Sequence, residues 1–222
     1  MSEQERVQGT AARAATPGGT AGIVLISAYI AAQMVADITS LKLALVGPFS
    51  IDAGTFVYPL TFTLRDLVHK LLGKRAARTL IVAAAVINLL MAAMFAFVIW
   101  LPPDPTWPLQ AEFAAVLGPA WRIVLASIAA EVVSEWLDTE IYAWWVARVA
   151  VRHPWARRQW LRVLSSNLAS LPVDSLIFAW GAFGGVVPAA TVWSIFLSNV
   201  LIKLVVSLVS MPGIYLVPER GS

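Results

Sequence analysis

Six apolar stretches, at about residues 22–41, 54–72, 79–101, 121–149, 163–183 and 189–217, constrain this chain more than any other feature. Each is long enough to cross roughly 30 Å of hydrocarbon at about 1.5 Å per residue, and the fourth and sixth are long enough to tilt or protrude. Backbone polar groups in hydrocarbon must be satisfied within the segment, so such runs are expected to be helices. Composition agrees. The 222 residues are 59% hydrophobic and 13% charged with mean hydropathy +0.75, about half the charge a soluble domain carries.

Pro and Gly clusters separate the runs: Gly47-Pro48, Pro102-Pro103 with Pro105 and Pro108, His153-Pro154, and Gly184-Gly185 before Pro188. Lys and Arg then fall unevenly among the connections. Arg6 and Arg13 lie in the leading tail; Lys70, Lys74, Arg75 and Arg78 lie between runs two and three. Arg148, Arg152, Arg157, Arg158 and Arg162 lie between runs four and five, and Arg220 follows run six. The other side has Lys42 and Arg122. The positive-inside bias therefore predicts an all-α integral membrane protein, a six-transmembrane-helix bundle with both termini cytoplasmic. Residues 1–20, polar and without a secretory h-region, are expected to be a disordered cytoplasmic tail. Residues 21–217 are expected to form one transmembrane domain, and 218–222 a second cytoplasmic tail.

The pI near 9.5 does not require a nucleic-acid partner, because topology determinants facing anionic lipid headgroups explain the basic clusters. Trp100, Trp107, Trp121, Trp155 and Trp160 sit near the expected span ends, as in an interfacial aromatic belt. Cysteine is absent and only His69 and His153 are present, so no metal centre and no cofactor are expected.

Composition does not require ionisable residues inside the spans, where a charge costs at least about 2.5 to 3.5 kcal/mol. Run one carries Gln33 and Asp37, run two Arg65 and Asp66, run four Glu131, Glu135, Asp138 and Glu140, run five Asn167 and Asp174, and run six Asn199 and Lys203. Acids outnumber bases, so some carboxylates must be protonated, hydrated or satisfied by a ligand rich in hydrogen-bond donors. Glu131, Glu135, Asp138 and Tyr142 share one helix face; Gln33, Asp37 and Ser40 share another, and Asn199, Lys203 and Ser207 a third. Polar stripes on three helices are satisfied together by facing a common interior. Salt bridges that merely hold the bundle, such as Lys203 to an aspartate, are the competing explanation for any one residue. Taken together the stripes favour a solute pathway.

An internal echo relates Ser134-Glu-Trp-Leu-Asp138-Thr-Glu-Ile-Tyr142 to Ser170-Leu-Pro-Val-Asp174-Ser-Leu-Ile-Phe178. The copies lie on runs of opposite direction, so an inverted relation about a midplane site is conceivable. Pro172 frees a backbone carbonyl that Asn167 or Ser170 could satisfy.

The residues resemble the queuosine precursor transporters, also called the vitamin uptake transporter family. The resemblance rests on Gly54-Thr-Phe-Val-Tyr-Pro59 followed by Asp66, Gly73 and Arg78; on Ala126-Ser127 leading to Leu137-Asp138-Thr139; on Arg162 and Ser166 through Asp174-Ser175 to Ile177-Phe178; and on Lys203, Pro212 and Tyr215. It implies a multi-pass protein of the bacterial inner membrane, not an enzyme, that imports 7-cyano-7-deazaguanine or its aminomethyl relative for the queuosine modification of tRNA. A guanine-like edge offers N1–H and an exocyclic amine that one carboxylate can accept together. Asp66, Asp138 and Asp174 match family aspartates, with Lys203 as counter-charge or donor; Glu135 and Asn167 complete the expected substrate site. Gln33, Asp37, Arg65, Glu131 and Asn199 are expected to serve coupling or the pathway. Glu135 stands where the family commonly has Gln, and Lys70 where many members have an acid.

Other classes fit less well. The chain has no G-x-S-x-G, H-E-x-x-H or G-x-G-D for an intramembrane protease, and no G-x-x-x-x-G-K-[ST] for ATP hydrolysis. A membrane subunit of a larger ATP-driven vitamin importer and a non-transport assembly protein stay open as alternatives. Ala28, Ala32 and Ala36 form a small-residue stripe that could dock a partner helix, although packing inside the bundle accounts for it more simply. The solute, the driving ion and the oligomeric state, a homo-oligomer included, are not set by the sequence.

Overall fold

The computed structural model describes residues 17–152 and 159–210. Helix α1 spans Pro17–Thr39. A two-stranded antiparallel hairpin follows, β1 Leu43–Val46 and β2 Phe49–Asp52, then a 3-10 turn Ala53–Phe56. Helices α2 Tyr58–Leu72, α3 Lys74–Trp100, α4 Gln110–Leu117 and α5 Ala120–Trp144 come next. A π-helical stretch Trp145–Val149 and a last turn Ala150–Arg152 extend α5. Helix α6 covers Gln159–Phe183 and α7 covers Ala189–Ser210.

Local chemistry sets the breaks. Gly47 has φ +58 and Pro48 cannot follow it into positive φ, so this pair makes the turn of the hairpin with glycine at its first central position. Pro59 lies in the first turn of α2, where its missing N–H costs nothing. Gly73, at φ +92, is the whole link between α2 and α3. Asp104 accepts from the Thr106 N–H at 2.8 Å and from its hydroxyl at 2.6 Å, an Asx turn that shapes the connection after α3.

The expected all-helical class holds apart from the hairpin, which replaces a simple connection. Among the described residues, four helical segments are long and apolar enough to cross a membrane: Gly19–Thr39, Lys74–Trp100, Gln110–Asp138 and Ala189–Val209. The other two expected spans are shorter. The stretch beginning at residue 54 gives its first residues to the 3-10 turn, leaving a 15-residue α2 of about 22 Å. The apolar part of α6 is confined to Leu168–Phe183, because its first half carries Arg162 and the run Ser165-Ser166-Asn167. Helix α4, within the connection after α3, was not foreseen.

Helices α1 and α2 run antiparallel, as do α5 and α6. A Cβ on Gly22 near the start of α1 would touch Leu72 at the end of α2, and one on Gly181 of α6 would lie 2.8 Å from the Ala126 Cβ of α5. That close approach makes α5 and α6 the most tightly joined pair. One apolar core joins α5, α6 and α7 through Ile123, Ala126, Ala179, Phe183, Val192 and Ile195. A second joins α1, α2 and α3 through Tyr29, Ala32, Leu64, Val68, Leu80 and Ala84. Ala28 and Ala32 pack in that core and Ala36 is also buried, so the small-residue stripe is used inside the bundle. Val82, Leu90, Met94, Trp136 and Val209 point outward, a pattern suited to lipid.

The basic residues Lys70, Lys74, Arg75, Arg78, Arg148 and Arg152 lie where α2 ends, α3 starts and α5 ends. Lys42 and Arg122 lie at the opposite, hairpin end. There Arg122 donates to the Gly184 carbonyl at 2.8 Å and the Gly181 carbonyl at 3.2 Å, capping the C-terminus of α6 with a cation.

Candidate functional site

The hairpin is folded back onto α7: the Ser50 N–H donates to Ser194 Oγ at 2.8 Å, and Ser198 donates to the Ser50 carbonyl at 3.2 Å. This docking brings Asp52 into the bundle, where it is 1% exposed. As the cap of the 3-10 turn it accepts the Thr55 N–H at 3.1 Å; Ser40, just past α1, donates to it at 2.8 Å. The Thr55 hydroxyl lies 2.6 Å from Asp52 Oδ2 and 2.5 Å from Asn199 Oδ1. One hydroxyl has one proton, so it serves these two acceptors by turns.

A narrow cleft opens beside this cluster, with about 320 Å³ free of atoms counting its mouth. Its wall is built by Ala36 and Asp37 from α1 and Ser40 just past it, by Asp52, Gly54, Thr55 and Tyr58, by Ser127 and Ala130 from α5, by Asp174 and Phe178 from α6, and by Asn199 and Lys203 from α7. Gly54 is required by space: a Cβ there would meet Ser40 Oγ at 2.0 Å and the Ala36 carbonyl at 2.4 Å. Asp174 and Lys203, 2% and 4% exposed, form a buried ion pair. The ammonium also stands 4.7 Å from the Tyr58 ring centroid, so an aromatic face and an anion share one cation.

Of the residues expected at a substrate site, Asp174 and Lys203 line the cleft, as do Asp37 and Asn199 from the expected pathway set. Asp37 accepts from Asn88 Nδ2 at 2.7 Å. Glu131 and Gln33 lie just behind the wall, joined through Tyr29: Gln33 donates to the Tyr29 hydroxyl at 3.1 Å, and Tyr29 donates to Glu131 at 3.1 Å. Toward the basic end, Arg65 binds Glu135 and lies 3.9 Å from Asp66. The Asp66 side chain is 60% exposed and does not line the cleft. Asp138 does not line it either; Ser170 donates to it at 3.4 Å. Because that hydroxyl has one proton, Ser170 does not also serve the carbonyl freed by Pro172. The side chain of Asn167 lies outside the described residues.

Sequence reasoning missed Asp52, Asn88 and Tyr29 as partners. Asp52 was read as part of a connection, although Asp52-Ala-Gly-Thr55 has the spacing of a capping aspartate before a turn. Asn88 is a lone polar residue in the apolar α3, which was signal enough to mark it.

Comparison with known proteins gives this arrangement a setting. Residues 52–217, from Asp52 onward, match the family described as "Putative vitamin uptake transporter". The chain belongs to the vitamin uptake transporter family. This transporter is also 30% identical over 164 residues, 73% of its chain and 69% of the other, to the "Probable queuosine precursor transporter" of Bacillus subtilis (strain 168). No solved structure matches it. Family and fold together make it a multi-pass membrane transporter, and the Asp52 cluster falls at the first residue of the matched region.

Proposed function

We propose that this protein imports queuosine precursors, 7-cyano-7-deazaguanine or 7-aminomethyl-7-deazaguanine, across the bacterial inner membrane, by secondary or facilitated transport. Six crossings with cytoplasmic termini would put the cleft at the outer half of the bilayer and the Arg65–Glu135 bridge at the inner half. The observation that carries the reading is the cleft wall: acceptors on Asp37, Asp52 and Asp174, the amide of Asn199, the ammonium of Lys203 and the side chains of Tyr58 and Phe178.

A 7-deazaguanine is flat, with donors at N1 and its exocyclic amine and an acceptor at its carbonyl oxygen. A carboxylate can accept both donors side by side, an ammonium can donate to the carbonyl, and aromatic rings can cover the faces. Asp174 and Lys203 supply that acceptor and donor as a neutral pair, so a neutral base can exchange hydrogen bonds with them without leaving a net charge in hydrocarbon. Asp66, Glu135 and Asp138 are assigned to the inward leg of the path, and Asn199 orients the Asp52 cluster.

The test is binding of labelled 7-cyano-7-deazaguanine to purified protein in detergent, with guanine and adenine as competitors. The reading expects displacement by the aminomethyl relative and weak displacement by adenine, whose edge reverses the donor and acceptor pattern. Equal competition by adenine would reject it.

A further inference from the structure

The layer just behind the cleft is short of hydrogen-bond donors. Of the cations inside the described bundle, Lys203 is bound to Asp174 and Arg65 to Glu135. Asp52 is well solvated by Ser40 and by the N–H and hydroxyl of Thr55. Asp37 and Glu131 are not. Asp37 accepts from Asn88 and Ser127, and Glu131 from Tyr29, whereas an ionised carboxylate presents about four acceptor positions. Beside each of them stands a buried oxygen with no donor, Asn88 Oδ1 next to Asp37 and Gln33 Oε1 in the chain to Glu131. Both amide side chains are more than nine-tenths buried. Two under-solvated carboxylates and two unpartnered acceptors are what a site built to receive protons presents.

The connectivity suits the purpose. With Glu131 ionised, Gln33 donates to Tyr29 and Tyr29 donates to Glu131. With Glu131 protonated, its hydroxyl donates to Tyr29, and Tyr29 donates to Gln33 Oε1 once that amide turns over. The chain therefore satisfies Glu131 in either protonation state. Asp37 is on the cleft wall and faces Glu131, and Tyr29, Gln33 and Asp37 follow one face of α1 at four-residue spacing.

We propose that Asp37 and Glu131 are the proton-binding groups that couple solute uptake to the proton gradient. The proposal rests on the transporter reading above. Asp37 takes a proton from the cleft, and Glu131 holds one while its hydrogen bond to Tyr29 reverses. The groups facing Glu131 are Tyr29 and Asp37 from α1, Tyr58 and Arg65 from α2, Asp174 from α6 and Glu135 on its own helix. Those facing Asp37 are Tyr58 from α2, Asn88 from α3 and Ser127 and Glu131 from α5.

The test reconstitutes the full chain in liposomes and uses Glu131→Gln, which keeps shape and lies behind the wall. In wild type, an inward proton gradient of one pH unit should concentrate labelled 7-cyano-7-deazaguanine about tenfold per proton carried, and adding solute should alkalinise the outside. Glu131→Gln should keep solute exchange at equal pH and lose that accumulation. Accumulation by Glu131→Gln at the wild-type ratio, or by wild type on a sodium gradient at equal pH with no proton movement, would overturn the proposal. Infrared spectroscopy of purified protein without solute gives a separate readout: the carboxylic-acid C=O band of wild type should weaken in Glu131→Gln, and an unchanged spectrum would also overturn it. If wild type exchanges no deazaguanine, the transporter reading fails by itself, and the infrared difference still decides whether Glu131 holds a proton. If Glu131→Gln does not fold, proton movement by wild type decides.

Discussion

Ser134 of α5 reaches Asp174 of α6, with its hydroxyl 3.3 Å from Oδ1. The relation is reciprocal, because Ser170 of α6 donates to Asp138 of α5 at 3.4 Å. The two Ser-x-x-x-Asp copies face each other antiparallel, each serine reaching the other's aspartate, with Ser134 shared between Asp174 and the Glu131 carbonyl at 3.2 Å. This exchange is what an inverted pair of segments about a local two-fold produces. One aspartate of the pair lines the cleft and the other lies nearer the basic end, so the crossing links solute site and path.

Both serine bonds are long, and interhelical hydrogen bonds in membranes average about 0.6 kcal/mol. Ser134→Ala and Ser170→Ala should each lower stability by about that much. Thermal unfolding in detergent checks this; a loss several times larger in either variant would show that the crossing, not the Gly181–Ala126 contact, holds α5 to α6.

Lys203→Met should be far more damaging, because it leaves Asp174 in the bundle without its counter-charge. Breaking one partner of a buried pair costs about 3 to 5 kcal/mol. Removing the second charge as well, with Asp174→Asn, should recover most of the folded protein and none of the solute binding. Measuring both quantities for the single and double variants separates the pair's structural part from its recognition part.

Glu135 is bound to Arg65 and does not line the cleft. Glu135→Gln should therefore leave the preference between the nitrile and the cationic aminomethyl solute within about twofold, since the change in selectivity per direct charged contact would be roughly 1 to 3 kcal/mol. Competition between the two solutes in the variant checks this, and a shift toward the nitrile would put Glu135 in the recognition site.

Gly54→Ala should deform the wall, as the added methyl meets Ser40 and the Ala36 carbonyl. Solute binding should fall with little change in membrane abundance, because the collision is confined to one turn. Wild-type binding by Gly54→Ala would mean that the Asp52 cluster is peripheral to recognition.

Much of this was legible in the sequence, for physical reasons. The apolar runs and their Pro and Gly breaks are local signals, so α1, α3, α5 and α7 lie where hydropathy put them. The stripe Gln33, Asp37, Ser40 does face the interior, as burial cost requires. What failed depended on contacts between distant residues. Nothing local at Asp52 tells that a hairpin folds onto Ser194 and Ser198 of α7, and nothing near Asn88 tells that it meets Asp37. Spacing placed Glu131, Glu135 and Asp138 on one face correctly, yet a helix face is longer than a site, and only Ala130 and Ser127 beside them reach the cleft.

Sidedness decides which end of the cleft the solute enters. A reporter fused in the connection 102–119 should be accessible from outside, and tags at both termini should report inside, given the basic residues at the far end. A cytoplasmic report from that connection would invert the path.

The central claim is met most directly in cells that cannot make 7-deazaguanines and have no other importer for them. Supplied with labelled 7-cyano-7-deazaguanine, such cells expressing this chain should accumulate label and incorporate it into tRNA, and Asp174→Asn with Lys203→Met, which restores neutrality without the site, should not. Accumulation no higher than that of cells carrying an empty vector, with the protein present in the membrane, would contradict the account.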